Sequence, residues 1–356
     1  MIKLEHFAEP GKPPLPLEPT RISDALKNPN GMVWLDLEDP SEEDFQLLVD
    51  EFQFHQLAMD DLRQRDQRAK VVDYAGYTFV VMHELRPGKN RSDLNMPCLE
   101  RGAEVNTFTG PNFCVTVHNG HSPAVETARQ RWEASREMQD HGPYAFLYLI
   151  LDSLVDDYYP TLDAFDERID SLEEIILKPA GEEVDLTNKN SNAEDQRKPL
   201  KTLLGVRREL LEMRRYVAPM RDAVNTMLRH VEAMQDPERA GEQRRADRAR
   251  ALYAYYQDVY DHTIRIVETI DTYRDLLAGT LDAHLAVASN RLNEVVKVLT
   301  SVSIIMMSWA TISGIYGMNF EHMPELHWHY GYVYVWALFI LVTVAEYIYF
   351  RKRKWL

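Results

Sequence analysis

Gly317-Met318-Asn319 lies between two long apolar segments and is followed by Glu321 and Glu325, in a stretch with no Lys or Arg before Tyr330. The Asn319 amide carbonyl, the backbone carbonyls near Gly317 and Met318, and the two carboxylates form an all-oxygen set. Such a set suits a small hard cation such as Mg2+, which takes oxygen ligands and gives up its waters reluctantly. Acceptors that touch the ion's water shell, and not the ion itself, avoid that dehydration cost. Glycine lets backbone carbonyls approach closely, and two carboxylates would concentrate divalent ions electrostatically. A plain structural reading stands beside this one: Gly and Asn are common where a helix ends, and loop carboxylates are often merely solvated.

N-terminal to this stretch, Val296, Leu299, Ser303, Met307, Ala310 and Gly314 share one helical face. A face with so few polar groups cannot ligate an ion. It can gate by dewetting, with Val296, Leu299 and Met307 as the constriction, or it can pack against other helices. Asn293 lies one turn before Val296 and adds a polar side chain there. Two histidine pairs, His327/His329 and His118/His121, offer nitrogen ligands for softer metals. The chain has no nucleophile elbow, P-loop or HExxH motif, so the expectation is a protein that is not an enzyme.

The elements that must position these residues are unusual. Val298 to Phe320 carries no charge, and Gly331 to Phe350 carries a single one, Glu346. Each is long enough to span a bilayer, which takes about 20 mostly apolar residues. The connecting loop lacks Lys and Arg, and the second segment runs into Arg351-Lys352-Arg353-Lys354. The positive-inside rule therefore puts the tail, and with two spans the N-terminal body, in the cytoplasm. Trp328, Tyr330 and Tyr332 cluster at the outer end as an aromatic belt, with Trp355 at the inner end.

The body is acidic. The 356 residues carry a formal charge of −16, with −18 on residues 1–290 and +2 on the remainder. That excludes the basic footprint of a nucleic-acid binder and favours cations. Cys98 and Cys114 are too few for a disulfide framework and read as reduced core residues. Residues 1–20, rich in proline, read as irregular. Strands are expected at Met32–Leu37, Tyr77–His83, Glu104–Thr109 and Phe113–His118. Asp39-Pro40-Ser41-Glu42 reads as a helix start with Asp as the cap, and Ser122–Ser135 as a helix. Tyr144–Leu177 reads as an acidic helix broken or kinked at Pro160, Gly181–Arg197 as a loop, and Lys201–Met234 as a helix. No proline interrupts Pro237 to Pro324. The helical pattern there runs from about Arg245 to Tyr316, roughly 100 Å at 1.5 Å per residue. A helix of that length needs neighbours to bury its apolar stripe.

The stretch Tyr316-Gly317-Met318-Asn319-Phe320-Glu321-His322-Met323-Pro324-Glu325-Leu326 resembles the signature of the CorA family of magnesium and cobalt transporters, the GMN-motif metal ion transporters. Asn293–Thr300 resembles the family's approach to the first span, Asp258–Thr263 its stalk, and Phe54–Asp61 with Lys70-Val71 its N-terminal domain. The resemblance covers nearly the whole chain. It implies a funnel-shaped homopentamer in the inner membrane, with first spans lining a pore and second spans facing lipid. It implies entry and selection at Gly317, Met318 and Asn319, a polar ring of Asn293 at the exit of the pore, and uptake of Mg2+, with Co2+ and Ni2+ as further candidate ions. It also implies closure by cytoplasmic Mg2+ at Asp258, whose carboxylate matches the family position that binds magnesium between subunits. Asp93 is the candidate partner from the neighbouring subunit, and Asp261 and Asp282 are further acidic stalk positions. Val296 and Ala310 depart from family members that carry methionine and threonine there.

The expected organisation is an α/β cytoplasmic domain (1–142), an acidic helical region (143–240), a stalk helix (241–297), a pore-lining span (298–316), an extracytoplasmic loop (317–331), a second span (332–350) and a basic tail (351–356). The expected partners are identical subunits and membrane lipid, with no nucleic acid. Two alternatives stay open: a zinc-type transporter of the same superfamily, kept alive by the histidines, and a membrane-anchored sensor or scaffold that conducts nothing.

Overall fold

The computed structural model describes residues 2–28, 31–64, 67–88, 97–177, 193–236, 243–319, 323 and 327–355. Its backbone divides into two units, Met1–Ala278 and Gly279–Leu356.

The first unit is built on a seven-stranded sheet. The strands are β1 (Ile2–Phe7), β2 (Leu15–Pro16), β3 (Met32–Glu38), β4 (Lys70–Tyr74), β5 (Tyr77–Pro87), β6 (Leu99–Thr109) and β7 (Phe113–His118), in spatial order β2-β1-β3-β7-β6-β5-β4. Every pairing is antiparallel except β3 with β7, where Leu35 sits opposite Val115. This central parallel pair is covered on both faces, as parallel strands usually are. Against one face, α2 (Glu42–Phe52) and α3 (Gln56–Arg63) pack Phe45, Leu48, Met59 and Leu62 over Leu35, Val115 and Phe79. On the other, α4 (Pro123–Ala134) brings Trp132 and α6 (Pro143–Asp156) brings Phe146. The Phe146 ring lies 5.2 Å from Trp34 and 5.3 Å from Trp132.

Four expectations change. Residues 1–20 are not irregular throughout, because β1 pairs along its length with β3 and gives the sheet a further strand, while residues 8–14 stay irregular as expected. The cap of α2 is Ser41, not Asp39. The Ser41 hydroxyl accepts from the Asp44 N–H while the Asp44 carboxylate accepts from the Ser41 N–H, a reciprocal capping box. Asp39 instead takes φ 49°, and its carboxylate accepts from the Gly120 N–H across the sheet end. The break expected at Pro160 falls earlier. Asp157 and Tyr158 separate α6 from α7 (Tyr159–Leu177), and Pro160 occupies the first turn of α7, where its missing N–H costs nothing. After α5 (Arg136–His141), these helices are followed by α8 (Ala193–Ala233), so the last residues of the expected loop are helical.

Cys98 and Cys114 are free and buried. Burial raises their thiols to about 11 and about 12, which leaves them poor nucleophiles. α9 runs unbroken from Gln243 to Tyr316. In the first unit it packs through Tyr256, whose hydroxyl donates to the Tyr144 carbonyl at 2.7 Å, and through Asp271, which accepts from Arg214 of α8. In the second unit α9 is joined by α10 (Gly331–Lys352). Both helices are long and apolar enough to cross a membrane.

Candidate conduction path and candidate metal centre

Within the second unit the two apolar helices touch along one side of α9. Ser301 is buried, and Ile305, Ser308 and Ile312 are partly covered. These positions recur every three or four residues and form one stripe. The face predicted to line a pore lies on the opposite side. Val296, Leu299, Ser303, Met307, Ala310 and Gly314 are all exposed, Leu299 at 65% and Met307 at 67%. Asn293 is exposed as well.

At the end of α9 the backbone turns. The Gly317 N–H donates to the Ser313 carbonyl at 2.9 Å and the Met318 N–H to the Ile315 carbonyl at 3.3 Å. A side chain at Gly317 would sit 3.1 Å from the Ser313 carbonyl oxygen, which favours glycine at that turn. Asn319 follows it, outside the helix and exposed. Helix termination by Gly317 is therefore real, and it leaves the Asn319 amide uncommitted to the helix. Glu321 and Glu325 lie outside the described residues.

The first unit holds the one group of three metal-ligating side chains among the described residues: Asp152 of α6 with Asp258 and His262 of α9, their ligand atoms all within 4.8 Å of one another. His262 Nε2 is 3.8 Å from Asp258 Oδ1, one helical turn away. The Asp258 side chain is 62% exposed, whereas that of Asp152 is 8% exposed and is held by Arg131 at 2.7 Å. Burial first, and Asp152 next, raise the Asp156 carboxyl and push the Tyr148 hydroxyl up to about 12. The Asp152 and Asp258 carboxylates each add to both shifts, and a bound cation would offset their charge. The donors fit such an ion: two carboxylate oxygens suit a hard cation that keeps waters, and the imidazole suits Co2+, Ni2+ or Zn2+. Asp258 was singled out from the sequence; Asp152 and His262 were not. Their signals were a lone carboxylate inside the apolar run of α6 and the i, i+4 spacing of Asp258 and His262. Asp261 is exposed and outside the group. Asp282, in the second unit, is exposed. Asp93 lies outside the described residues.

The other histidines have different work. His118 is buried, with Nδ1 2.6 Å from the Gly120 carbonyl and Nε2 3.1 Å from Asp36, so both ring nitrogens face acceptors. Burial alone would lower its pKa, but the Asp36 hydrogen bond and charge outweigh burial and raise it. A raised folded-state pKa gives stability that is complete below the unfolded value near 6.5 and is lost as pH rises through the higher folded value. Thermal unfolding of the detergent-solubilised protein should therefore show a loss of stability as pH rises above about 6.5 that disappears in His118→Gln. An unchanged slope in that variant would refute the assignment. His327 and His329 belong to no ligand group among the described residues.

The family described as CorA-like Mg2+ transporter protein matches residues 29–352. The cobalt/magnesium transport protein CorA of Thermotoga maritima is 33% identical over 308 residues, covering 86% of this chain and 78% of that protein. In fold, the chain resembles the complete CorA magnesium transporter of Methanocaldococcus jannaschii, with a TM-score of 0.71, 18% identity, and 100% and 99% of the two chains covered. The ZntB cytoplasmic domain of Vibrio parahaemolyticus is also similar, with a TM-score of 0.53, 14% identity, and coverage of 82% of this chain and 100% of that one. An α/β body, one helix running from it into an apolar pair, and a family match that takes in the Gly317–Asn319 turn lead to one conclusion: the chain belongs to the CorA family of divalent metal transporters and is not an enzyme.

Proposed function

We propose that this chain is the subunit of a homopentameric channel that admits Mg2+, and Co2+ after it, as hydrated ions, and that closes when cytoplasmic Mg2+ rises. The observation that carries the reading is the two-sidedness of α9. One stripe is covered by α10, and the opposite stripe, apolar and exposed along its whole length, leads to Asn319. An apolar stripe left open on a membrane helix is free to meet lipid or other helices; this reading sets neighbours of its own type against it, around an axis. In that arrangement the Asn319 amides form a ring of acceptors for the ion's waters, and Glu321 and Glu325 enrich cations at the mouth. Val296, Leu299 and Met307 form a dry constriction that opens by wetting, with Gly314 above it and Asn293 at the exit. The basic tail Arg351–Lys354 supports placing both termini on the cytoplasmic side of the inner membrane.

Asp258 is the regulatory ligand in this reading, with Asp152 and His262 beside it. Asp93 of an adjacent subunit remains the candidate for the facing carboxylate, with Asp261 and Asp282 as outlying acidic positions. Cation binding would neutralise carboxylates that otherwise repel one another.

A zinc-transporting reading is favoured by one observation, the His262 nitrogen in the metal group, and by the likeness to the ZntB domain. Proteoliposomes with an internal metal-sensitive dye separate the two. The expected result is Mg2+ entry that cobalt hexaammine, a mimic of the hydrated magnesium ion, blocks from outside. Zinc entry insensitive to cobalt hexaammine would replace the proposal with the zinc reading. Absence of flux for every divalent ion would leave the non-conducting sensor.

A further inference from the structure

Glu346 is the one charged residue in the run from Gly331 to Phe350, about 7.5 Å along the helix from the basic tail that begins at Arg351. A carboxyl inside the hydrocarbon is costly and is kept where it has a partner and a role. Its partner is on the other span. The Ser308 hydroxyl of α9 donates to Glu346 Oε1 at 2.5 Å, and Oε2 is buried with no hydrogen-bond partner among the described residues. One turn away, Trp309 Nε1 donates to the Thr343 hydroxyl at 2.8 Å. That hydroxyl spends its own proton on the Phe339 carbonyl, so it is oriented to accept. The Trp309 ring also meets Phe339 edge-on at 5.7 Å. Two polar contacts, adjacent on α9 and about one turn apart on α10, thus bind α10 to the back of α9, next to Met307, the last large residue of the proposed constriction.

We infer that Glu346 is a positioning residue of the gate: its hydrogen bond to Ser308 fixes the rotation of the α9 turn that carries Met307, and so sets how readily cytoplasmic Mg2+ closes the path. The inference rests on the reading of α9 as pore-lining. Neither residue faces the ion; Ser308 lies on the stripe that α10 covers. An apolar residue at 346 would fill the same space and remove the tether. The α9 turn would then have more orientations to lose on closing, and closure would demand more metal. Glutamine keeps an acceptor oxygen at the same reach.

The test is Mg2+ influx into proteoliposomes against a series of internal Mg2+ concentrations. Glu346→Leu should raise the internal Mg2+ that halves influx by about threefold or more, and Glu346→Gln should stay within about twofold of the parent. Ser308→Ala should reproduce the shift, and the double variant should shift no further than either single one, because both remove the same bond. An unmoved half-closing concentration in Glu346→Leu, or shifts that add in the double variant, overturns the inference. If Glu346→Leu does not assemble, Ser308→Ala decides by itself. A charged thiol reagent applied to Met307→Cys separates the two levels. Failure to block flux there overturns the clamp together with the pore reading. Block there, with Glu346→Leu unmoved, overturns the clamp alone.

Discussion

Asn319→Ala should reduce Mg2+ influx at least tenfold while leaving expression, folding and oligomer size intact. The fold has little stake in this side chain. It lies beyond the last turn of α9, exposed, while the backbone turn is made by Gly317 and Met318. The transport step has a large stake in it. A hydrated Mg2+ presents polarised water protons, and an amide carbonyl is a neutral acceptor that can hold them without stripping the shell. A hydrogen bond contributes about 0.5–1.5 kcal/mol net, and about 1.4 kcal/mol is a factor of ten. In the proposed ring of five, loss of three such contacts at the low end of that range, or of one at the high end, already reaches the expected effect. Alanine also leaves no acceptor to replace the lost one. The measurement is initial influx into proteoliposomes, with protein content matched and the oligomer checked by light scattering. Equal flux in Asn319→Ala would remove Asn319 from the entry ring, and the Gly317–Asn319 turn would then be only a helix end.

Much of what positions this site can be read in the sequence, because the strongest elements are those where burial leaves one option. Phe113–His118 reads as a strand from its β-branched and aromatic residues, and all six of its residues are buried, as a strand covered on both faces requires. The two spans are legible for the same reason in a different solvent. What could not be read depends on distant partners. Ile2–Phe7 precedes a run containing Pro10, Pro13, Pro14 and Pro16, and only its pairing with β3 makes it a strand. Asp39 looks like a cap, yet Ser41 and Asp44 form the capping box, and Asp39 is drawn instead to the Gly120 N–H. Asp152 and Asp258 are 106 residues apart in sequence, and nothing local announces that α6 and α9 bring them together. Glu346 was visible as an odd charge, but its function depends on Ser308, which is unremarkable in the sequence.

Asp258→Ala should abolish or strongly weaken protection of the protein from protease by Mg2+, raising the protecting concentration about tenfold or more. The substitution is structurally mild, because the Asp258 side chain is largely exposed and its ion pair, with His262, is a loose one at 3.8 Å. The chemistry is not mild. Of the three ligands gathered there, Asp152 already gives one oxygen to Arg131, so Asp258 is the carboxylate most available to a cation. Removing it leaves a half-committed carboxylate and an imidazole, a poor set for Mg2+. His262→Gln makes the prediction more specific. Nitrogen matters more to Co2+ than to Mg2+, so this variant should weaken Co2+ protection more than Mg2+ protection, whereas Asp258→Ala should weaken both. Limited proteolysis across a titration of each metal reads both effects. Unaltered protection by Mg2+ in Asp258→Ala would move the sensor away from this group. Equal losses for the two metals in His262→Gln would mean that the imidazole supports the site without ligating the ion.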